Sequence, residues 1–181
     1  MAYVYGQAGA TETTAEAEEV EDEDFESYTN VPKKGNLRLT GSLAFTKVFI
    51  SNKDQNQIGW RGVFDYHVFD MLSISGISHL PLASVDGFRN DYFGLGGNVH
   101  PYNLGDLGFH FGATAGFVIV QAPRLATKAV TGIEFNAGLG WYGSFFHLMG
   151  EVSFRFSEYY SRGVHLDMNE LIYSGGIGFK L

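Results

Sequence analysis

Apolar and polar residues alternate one by one in eight successive segments of this chain, and the alternation continues to the last residue. In the first segment, Leu37, Leu39, Leu43 and Phe45 are separated by polar or small residues. A period of two residues is the spacing of side chains on one face of a β-strand. We therefore predict an all-β fold in which about eight strands form a closed antiparallel up-and-down barrel. The segments lie within residues 37–49, 58–68, 72–75, 93–100, 107–119, 132–141, 146–156 and 171–181.

The charge of the chain is concentrated at its start. Residues 1–32 hold nine acidic residues and neither Lys nor Arg, whereas the rest of the chain has eleven acids and twelve bases. Such a segment repels itself and offers no repeating apolar face to bury. We predict an acidic, disordered tail over residues 1–34 and a nearly neutral barrel over residues 35–181.

The alternation leaves open which face points outward, because a soluble barrel of the lipocalin type alternates as well. Here the polar face is mostly Gly, Ser and Asn with a few charges, which suits a crowded interior. The other face is aromatic and aliphatic with essentially no charge, which suits contact with lipid. We predict a transmembrane barrel with its apolar face outward. Four aromatic residues are predicted to lie at the membrane interfaces: Trp60, Tyr66, Trp141 and Tyr142.

The spacing of the segments predicts connections of two kinds. Short turns are expected near Asp70, at Tyr102-Asn103 and at Tyr142-Gly143, and longer loops over 51–57, 81–90, 121–128 and 157–169. Outer-membrane barrels have short periplasmic turns and longer extracellular loops, so both termini are expected on the periplasmic side. The loops offer candidate contacts to lipopolysaccharide or to a surface partner: Phe88, Arg89, Tyr159, Tyr160 and Arg162.

The C-terminal residues resemble the signal by which outer-membrane barrels are recognised for assembly. Ser174, Gly176, Phe179 and Leu181 fit its order of polar, glycine, hydrophobic and hydrophobic positions, although a terminal Phe is more usual than Leu. The glycine-rich stretches 92–102 and 132–140 also resemble strands of the outer-membrane β-barrel domain family. The resemblance covers residues 35–181 and implies that fold, an outer-membrane location and handling by the barrel assembly machinery.

The inward face is predicted to gather a set of charged and imidazole side chains. Paired charges would make this set a salt-bridged plug, and pairs that exchange partners would make it a narrow gated path. The set consists of Arg61, Asp65, His67, His100, His110, Glu134, His147, Glu151, Arg155 and Lys180.

The sequence gives little support for an enzyme, a metal site or a cofactor. His147, Glu151 and Ser153 share a face, and Ser78-His79 lies near a loop, but no catalytic arrangement is expected from them. The histidines lie on different strands, and we predict that they do not converge on a metal. Cysteine is absent, which excludes a thiol nucleophile and a zinc–thiolate site.

These patterns predict an integral outer-membrane protein with a structural or scaffold role, surrounded by membrane lipids and lipopolysaccharide. A component of a larger envelope complex, with a periplasmic or outer-membrane protein partner, is one form of that role. A narrow channel for small solutes is the first alternative and a soluble ligand-binding barrel the second. No nucleic-acid partner is expected.

Overall fold

The computed structural model describes residues 31–50, 53–123, 126–161 and 163–181, and these form a closed barrel of eight strands. Each strand pairs antiparallel with its sequence neighbours, and β8 pairs back with β1. The predicted all-β barrel with eight strands is confirmed. None of the described residues forms a helix long and apolar enough to cross a membrane. The strands are β1 (Leu37–Ile50), β2 (Lys53–Phe69), β3 (Leu72–Pro81), β4 (Arg89–Leu104), β5 (Leu107–Gln121), β6 (Lys128–Tyr142), β7 (Phe146–Ser161) and β8 (Val164–Lys180).

The two faces of the strands have the predicted orientation. Along β1, Leu39, Leu43 and Phe45 point outward and are exposed, whereas Thr40 and Ser42 point inward and are buried. The same holds around the barrel, so that large apolar side chains form an outward band. From Leu37 to Phe45 the band rises through eight residue steps, roughly 26 Å along the strand at about 3.3 Å per residue. A soluble barrel of the lipocalin type would have the opposite arrangement.

The connections differ from the prediction mostly at one end of the barrel. The end that carries the termini, here called the turn end, has connections at 70–71, 105–106 and 143–145. At the other end, here called the loop end, the predicted loops 51–57 and 157–169 are wrong, because most of these residues continue the hairpins β1–β2 and β7–β8. The other two loops, predicted over 81–90 and 121–128, are shorter than predicted, because the flanking strands leave only 82–88 and 122–127 between them. The turn predicted at Tyr102-Asn103 is also misplaced, since β4 runs on to Leu104.

The polarity of both faces reverses at the loop end. Beyond the apolar band, the outward positions of the strands carry polar residues such as Asn56, Gln121 and Glu158. The inward positions carry a buried group of apolar residues, here called the apolar cap. Beyond the apolar band the strands therefore continue with polar residues outward and apolar residues inward. The cap consists of Val48, Phe88, Tyr92, Val118, Val120, Val130, Tyr159 and Met168.

The start of the described chain is bonded to the turn end. The backbone nitrogen of Lys34 donates to Asp70 Oδ1 at 2.7 Å, and that of Gly35 donates to the carbonyl oxygen of His67 at 2.8 Å. Leu37 and Leu181 exchange two backbone hydrogen bonds, which close the barrel at this rim. Residues 1–30 lie outside the described residues, so the acidic tail stays a prediction.

The outward band predicts how a charge would be tolerated along one strand. Phe111→Arg places a guanidinium in the band on β5 and should destabilise the barrel by about 2–4 kcal/mol. Gln121→Arg, on the same face of the same strand but beyond the band, should cost less than about 1 kcal/mol. Urea unfolding in lipid vesicles measures both. Equal costs for the two variants would contradict a lipid-facing band.

Candidate functional site

The interior of the barrel holds a connected set of buried charges, and its first part lies near the turn end. Arg38 Nη2 lies 2.9 Å from Asp65 Oδ2, and Arg38 Nη1 donates to the hydroxyl of Tyr142 at 2.5 Å. The other carboxylate oxygen of Asp65 accepts from Ser75 Oγ and from Asn98 Nδ2. Asp65 therefore has both oxygens bonded although it is buried, as a buried carboxylate requires.

Arg61 links two carboxylates at the centre of the barrel. Its Nη2 lies 2.5 Å from Glu134 Oε1 and 2.5 Å from Glu151 Oε1. The second oxygen of Glu151 lies 3.1 Å from His110 Nε2 and also accepts from Asn136 Nδ2 at 3.1 Å. This part of the set joins strands β2, β5, β6 and β7 across the interior.

Arg155 continues the set towards the loop end. It lies 2.7 Å from Glu134 Oε2 and 2.9 Å from Glu170 Oε2, so that Glu134 is shared by two arginines. The guanidinium also lies 4.0 Å from the centre of the Tyr92 ring. Tyr92 belongs to the apolar cap, and the charged interior thus ends directly beneath that cap. A cation on an aromatic face is favourable, most of all when both groups are desolvated.

The three arginines and four carboxylates named above are all buried almost completely. Removing such charges from water costs several kcal/mol per ion, which only close pairing and additional hydrogen bonds can offset. Here each of these charges contacts an opposite charge, and three of them, Arg61, Glu134 and Arg155, contact two. The interior is consequently a cross-linked polar core that stabilises the barrel only as a complete set.

Glycines on neighbouring strands make room for the large interior rings. A Cβ added to Gly108 or Gly140 would lie 2.8 Å or 2.7 Å from the ring of Tyr142. The rings of His110 and His147 similarly occupy the space over Gly138 and Gly178. The glycine-rich strands therefore match the interior side chains in shape, which explains why so many inward positions carry no side chain.

The structure places the predicted interior residues as follows. Nine of the ten are buried on the inward face, and Lys180 is half-buried on the same face. Sequence reasoning missed Arg38, His79 and Glu170, which are buried and bonded in the same set. Arg38 could have been found from its phase in the first strand. His79 and Glu170 could not, because the third segment was predicted to end at residue 75 and the eighth to begin at residue 171.

The prediction that the histidines do not converge on a metal stays a prediction, although three of their rings lie close to one another. The ring centres of His67 and His100 are 4.6 Å apart, and those of His100 and His110 are 5.9 Å apart. His100 lies in an irregularity of the β4–β5 pairing between Val99 and Tyr102. These three rings, here called the histidine row, lie in the turn-end half of the interior.

The residues considered for catalysis are engaged in separate bonds. His147 Nε2 lies 2.7 Å from Thr40 Oγ1, whereas Ser153 Oγ donates to Glu151 and accepts from Arg61. Ser78 and His79 are neighbours on one strand and point to opposite faces. Ser73 Oγ lies 3.0 Å from His100 Nε2 and donates to Asp65 Oδ1 at 3.4 Å. Among the described hydrogen bonds this carboxylate bonds the serine and not the imidazole, so the order of an activated serine, histidine and carboxylate is not formed.

Three of the four predicted interfacial aromatics point outward, and one does not. Trp60 and Tyr66 are exposed on β2, and Trp141 is exposed beside the turn-end connection at 143–145. Tyr142 is only 2% exposed and bonds Arg38 inside the barrel, so its assignment to the interface is wrong. Adjacent residues of a strand point to opposite faces, and Trp141 and Tyr142 could not both face lipid.

The predicted loop contacts are also divided. Phe88 and Tyr159 are buried in the apolar cap, so they are unsuited to surface recognition, contrary to prediction. Arg89 bonds Asp91 at 2.8 Å, and Tyr160 is exposed. Arg162 lies outside the described residues.

The residues of the predicted assembly signal lie on β8 and its end. Phe179 and Leu181 are exposed on the outward face. Gly176 lies so close to the backbone of Gly41 on β1 that a side chain would clash there. The recognition of these residues during assembly stays a prediction.

Comparison with known proteins agrees with the geometry. No family model matches the chain, and no curated protein matches it. Among solved structures, Neisserial surface protein A is 11% identical with a TM-score of 0.66, covering 82% of this chain and 100% of its own. Ail of Yersinia pestis is 13% identical with a TM-score of 0.56, covering 82% and 99%. OprG of Pseudomonas aeruginosa is 10% identical with a TM-score of 0.56, covering 84% and 99%.

These similarities show the fold. The chain has the eight-stranded barrel of small bacterial outer-membrane proteins, over nearly the full length of the structures it matches. Identities this low carry no ligand or partner from one protein to another. An outer-membrane location for this chain is supported by the fold of these neighbours and by the outward apolar band.

Because Arg61 and Arg155 share the carboxylate of Glu134, we expect its removal to destabilise the barrel strongly. Glu134→Gln leaves two buried arginines with an incomplete set of partners and should cost about 3–5 kcal/mol in unfolding free energy. Asp54→Asn removes a carboxylate that pairs with Lys47 at the surface, and it should leave the unfolding midpoint unchanged. Denaturant unfolding of both variants in vesicles checks this. Similar midpoints for both would show that the interior pairs do not stabilise the barrel.

The inward position of Tyr142 can be tested with a matched pair of substitutions. Tyr142→Phe removes a hydrogen bond from a charged donor and should cost about 1.5–3 kcal/mol. Tyr66→Phe removes the same atom on the outward face and should cost less than about 0.5 kcal/mol. The same unfolding measurement compares the two variants. A larger loss of stability for Tyr66→Phe than for Tyr142→Phe would contradict the inward position of the Tyr142 hydroxyl.

Proposed function

We propose that this protein is an integral outer-membrane barrel with a structural role, whose interior is closed to solutes. The observation that carries the proposal is the continuous filling of the barrel from Arg38 to the apolar cap. An ion-paired core occupies the turn-end half and the centre, and the cap occupies the loop end. A conducting pore needs a water-filled path, and small barrels have interiors that side chains can fill.

The orientation follows from the general design of such barrels. Outer-membrane barrels carry short turns and their termini on the periplasmic side, and here the turn end carries both. The longer hairpins would then project from the cell surface among the sugar and phosphate groups of lipopolysaccharide. In this orientation the apolar cap closes the interior on the extracellular side. The tail would extend into the periplasm, where a protein partner could meet it, and β8 would present its final residues to the assembly machinery.

Conductance is the test of a closed interior. The folded protein in planar bilayers should give no single-channel steps, whereas a porin reconstituted in the same way should give them. Arg61→Ala and Arg155→Ala combined with Phe88→Gly remove both central arginines together with a ring of the apolar cap. This variant should create leakage, provided that it still shows heat-modifiable migration on gels. Discrete steps from the unaltered protein would contradict the proposal and favour a narrow channel.

The channel alternative has one specific observation in its favour. Arg61 and Glu134 each contact two opposite charges, so a partner could be exchanged without leaving either charge unpaired. Opening would also require the apolar cap to move. If the unaltered protein conducts, Phe88→Gly in the cap should raise the open probability. If neither the unaltered protein nor the Phe88→Gly variant conducts, the result supports the structural role.

A further inference from the structure

The outer face of the β7–β8 hairpin carries a group of possible metal ligands away from the charged interior. Glu158 lies directly opposite Asp167 in the antiparallel pairing, and Tyr160 lies directly opposite His165. All four point outward at the loop end, beyond the apolar band. His165 is exposed, whereas the other five histidines of the chain are buried inside the barrel.

The ligand atoms of Glu158, His165 and Asp167 converge. One nitrogen and two carboxylate oxygens lie within 4.8 Å of one another. His165 Nε2 lies 3.0 Å from Asp167 Oδ1, and the imidazole stacks on the Tyr160 ring at 4.1 Å between centres, with 10° between the planes. The stacking holds the imidazole on this face of the hairpin, and the strand pairing holds both carboxylates beside it.

The arrangement is unfavourable without a positive charge among these side chains. Like charges placed directly opposite each other on paired strands destabilise a sheet. Glu158 and Asp167 are such a pair. His165 lies beside Asp167 and the Tyr160 hydroxyl bonds Glu158, so each carboxylate has its own partner and no group of the described residues lies between the two. A cation between the two strands would convert this repulsion into a cross-link of the hairpin.

We propose that Glu158, His165 and Asp167 bind a divalent transition-metal ion of the Zn²⁺ type. An imidazole nitrogen and carboxylate oxygens are donors that Zn²⁺ accepts, whereas Ca²⁺ and Mg²⁺ prefer sets made of oxygen alone. Three ligands on an exposed face leave further coordination positions for water or for an anionic group nearby. The site joins β7 to β8 above the apolar band, and it does not depend on whether the interior conducts.

The interior histidine row is the competing location. Its ring centres are 4.6 Å and 5.9 Å apart. Within the described parts of the chain, only the hairpin group brings three ligand atoms of this kind within 4.8 Å of one another. A metal bound by the row would involve His67, His100 and His110, so substitutions on the hairpin distinguish the two locations.

The test is a titration of the folded barrel in detergent with ZnCl₂, followed by calorimetry and by the NMR signals of the His165 ring. We expect one Zn²⁺ per barrel, weaker binding of Ca²⁺, and a shift of the His165 signals at one equivalent. His165→Gln, Glu158→Gln and Asp167→Asn should each weaken Zn²⁺ binding by more than about tenfold, since loss of a group that only supports a ligand already costs about 10–100-fold.

The control is Asp54→Asn, which removes an exposed carboxylate from the neighbouring β1–β2 hairpin and should leave Zn²⁺ binding unchanged. Heat-modifiable migration on gels shows that each variant is folded. Absence of stoichiometric binding to the unaltered protein would overturn the proposal. Binding that survives all three hairpin substitutions would overturn it as well, because the ion would then lie elsewhere, with the interior row as the next place to examine.

Discussion

The pairing of β8 with β1 is the constraint on which the rest of the structure depends. Lipid offers no hydrogen bonds, so a strand within it must bond to neighbours on both sides, and a sheet can satisfy this only by closing. Closure with eight strands leaves an interior just wide enough for side chains. The long arginines and carboxylates must then reach across that interior to one another, and glycines must make room for the rings beside them. The polar core follows from the closure of the sheet.

The sequence was sufficient to predict the strand number, the orientation of both faces and most inward charges. Each of these rests on the period of two residues, which depends on local backbone geometry and on the contrast between lipid and interior. The same reasoning failed at the loop end, where the polarity of the outward and inward residues is reversed. Beyond the apolar band the outward residues are polar and the inward ones apolar, as at Val118 and Val120. Because the polarity reverses while the backbone pairing continues, hairpin residues were taken for loops.

Partners across the interior could not be predicted, because they depend on the tilt and stagger of the strands. Arg61 and Glu134 are 73 residues apart, and nothing local in either segment selects the other. The neighbouring positions of the three histidine rings also depend on how β2, β4 and β5 align, although Pro101 is a sequence signal for the irregularity beside His100. The error at Tyr142 was of another kind. Trp141 and Tyr142 were assigned to one interface by composition, although neighbours on a strand point to opposite faces.

Closure removes strand edges within the apolar band, but the unequal strand lengths create a new edge above it. The pairing of β2 with β3 ends at Gly59 and Pro81, so residues 53–57 pair with β1 alone among the described strands. An unpaired edge can accept a strand from another molecule. Asp54, in its ion pair with Lys47, places charge beside this edge, and Gln57 bonds the carbonyl oxygen of Phe88 in the adjoining loop. Within the described strands, residues 158–161 and 164–167 likewise pair only with each other, so the upper rim has unpaired edges on more than one strand, and β-sheet addition could approach it from more than one direction.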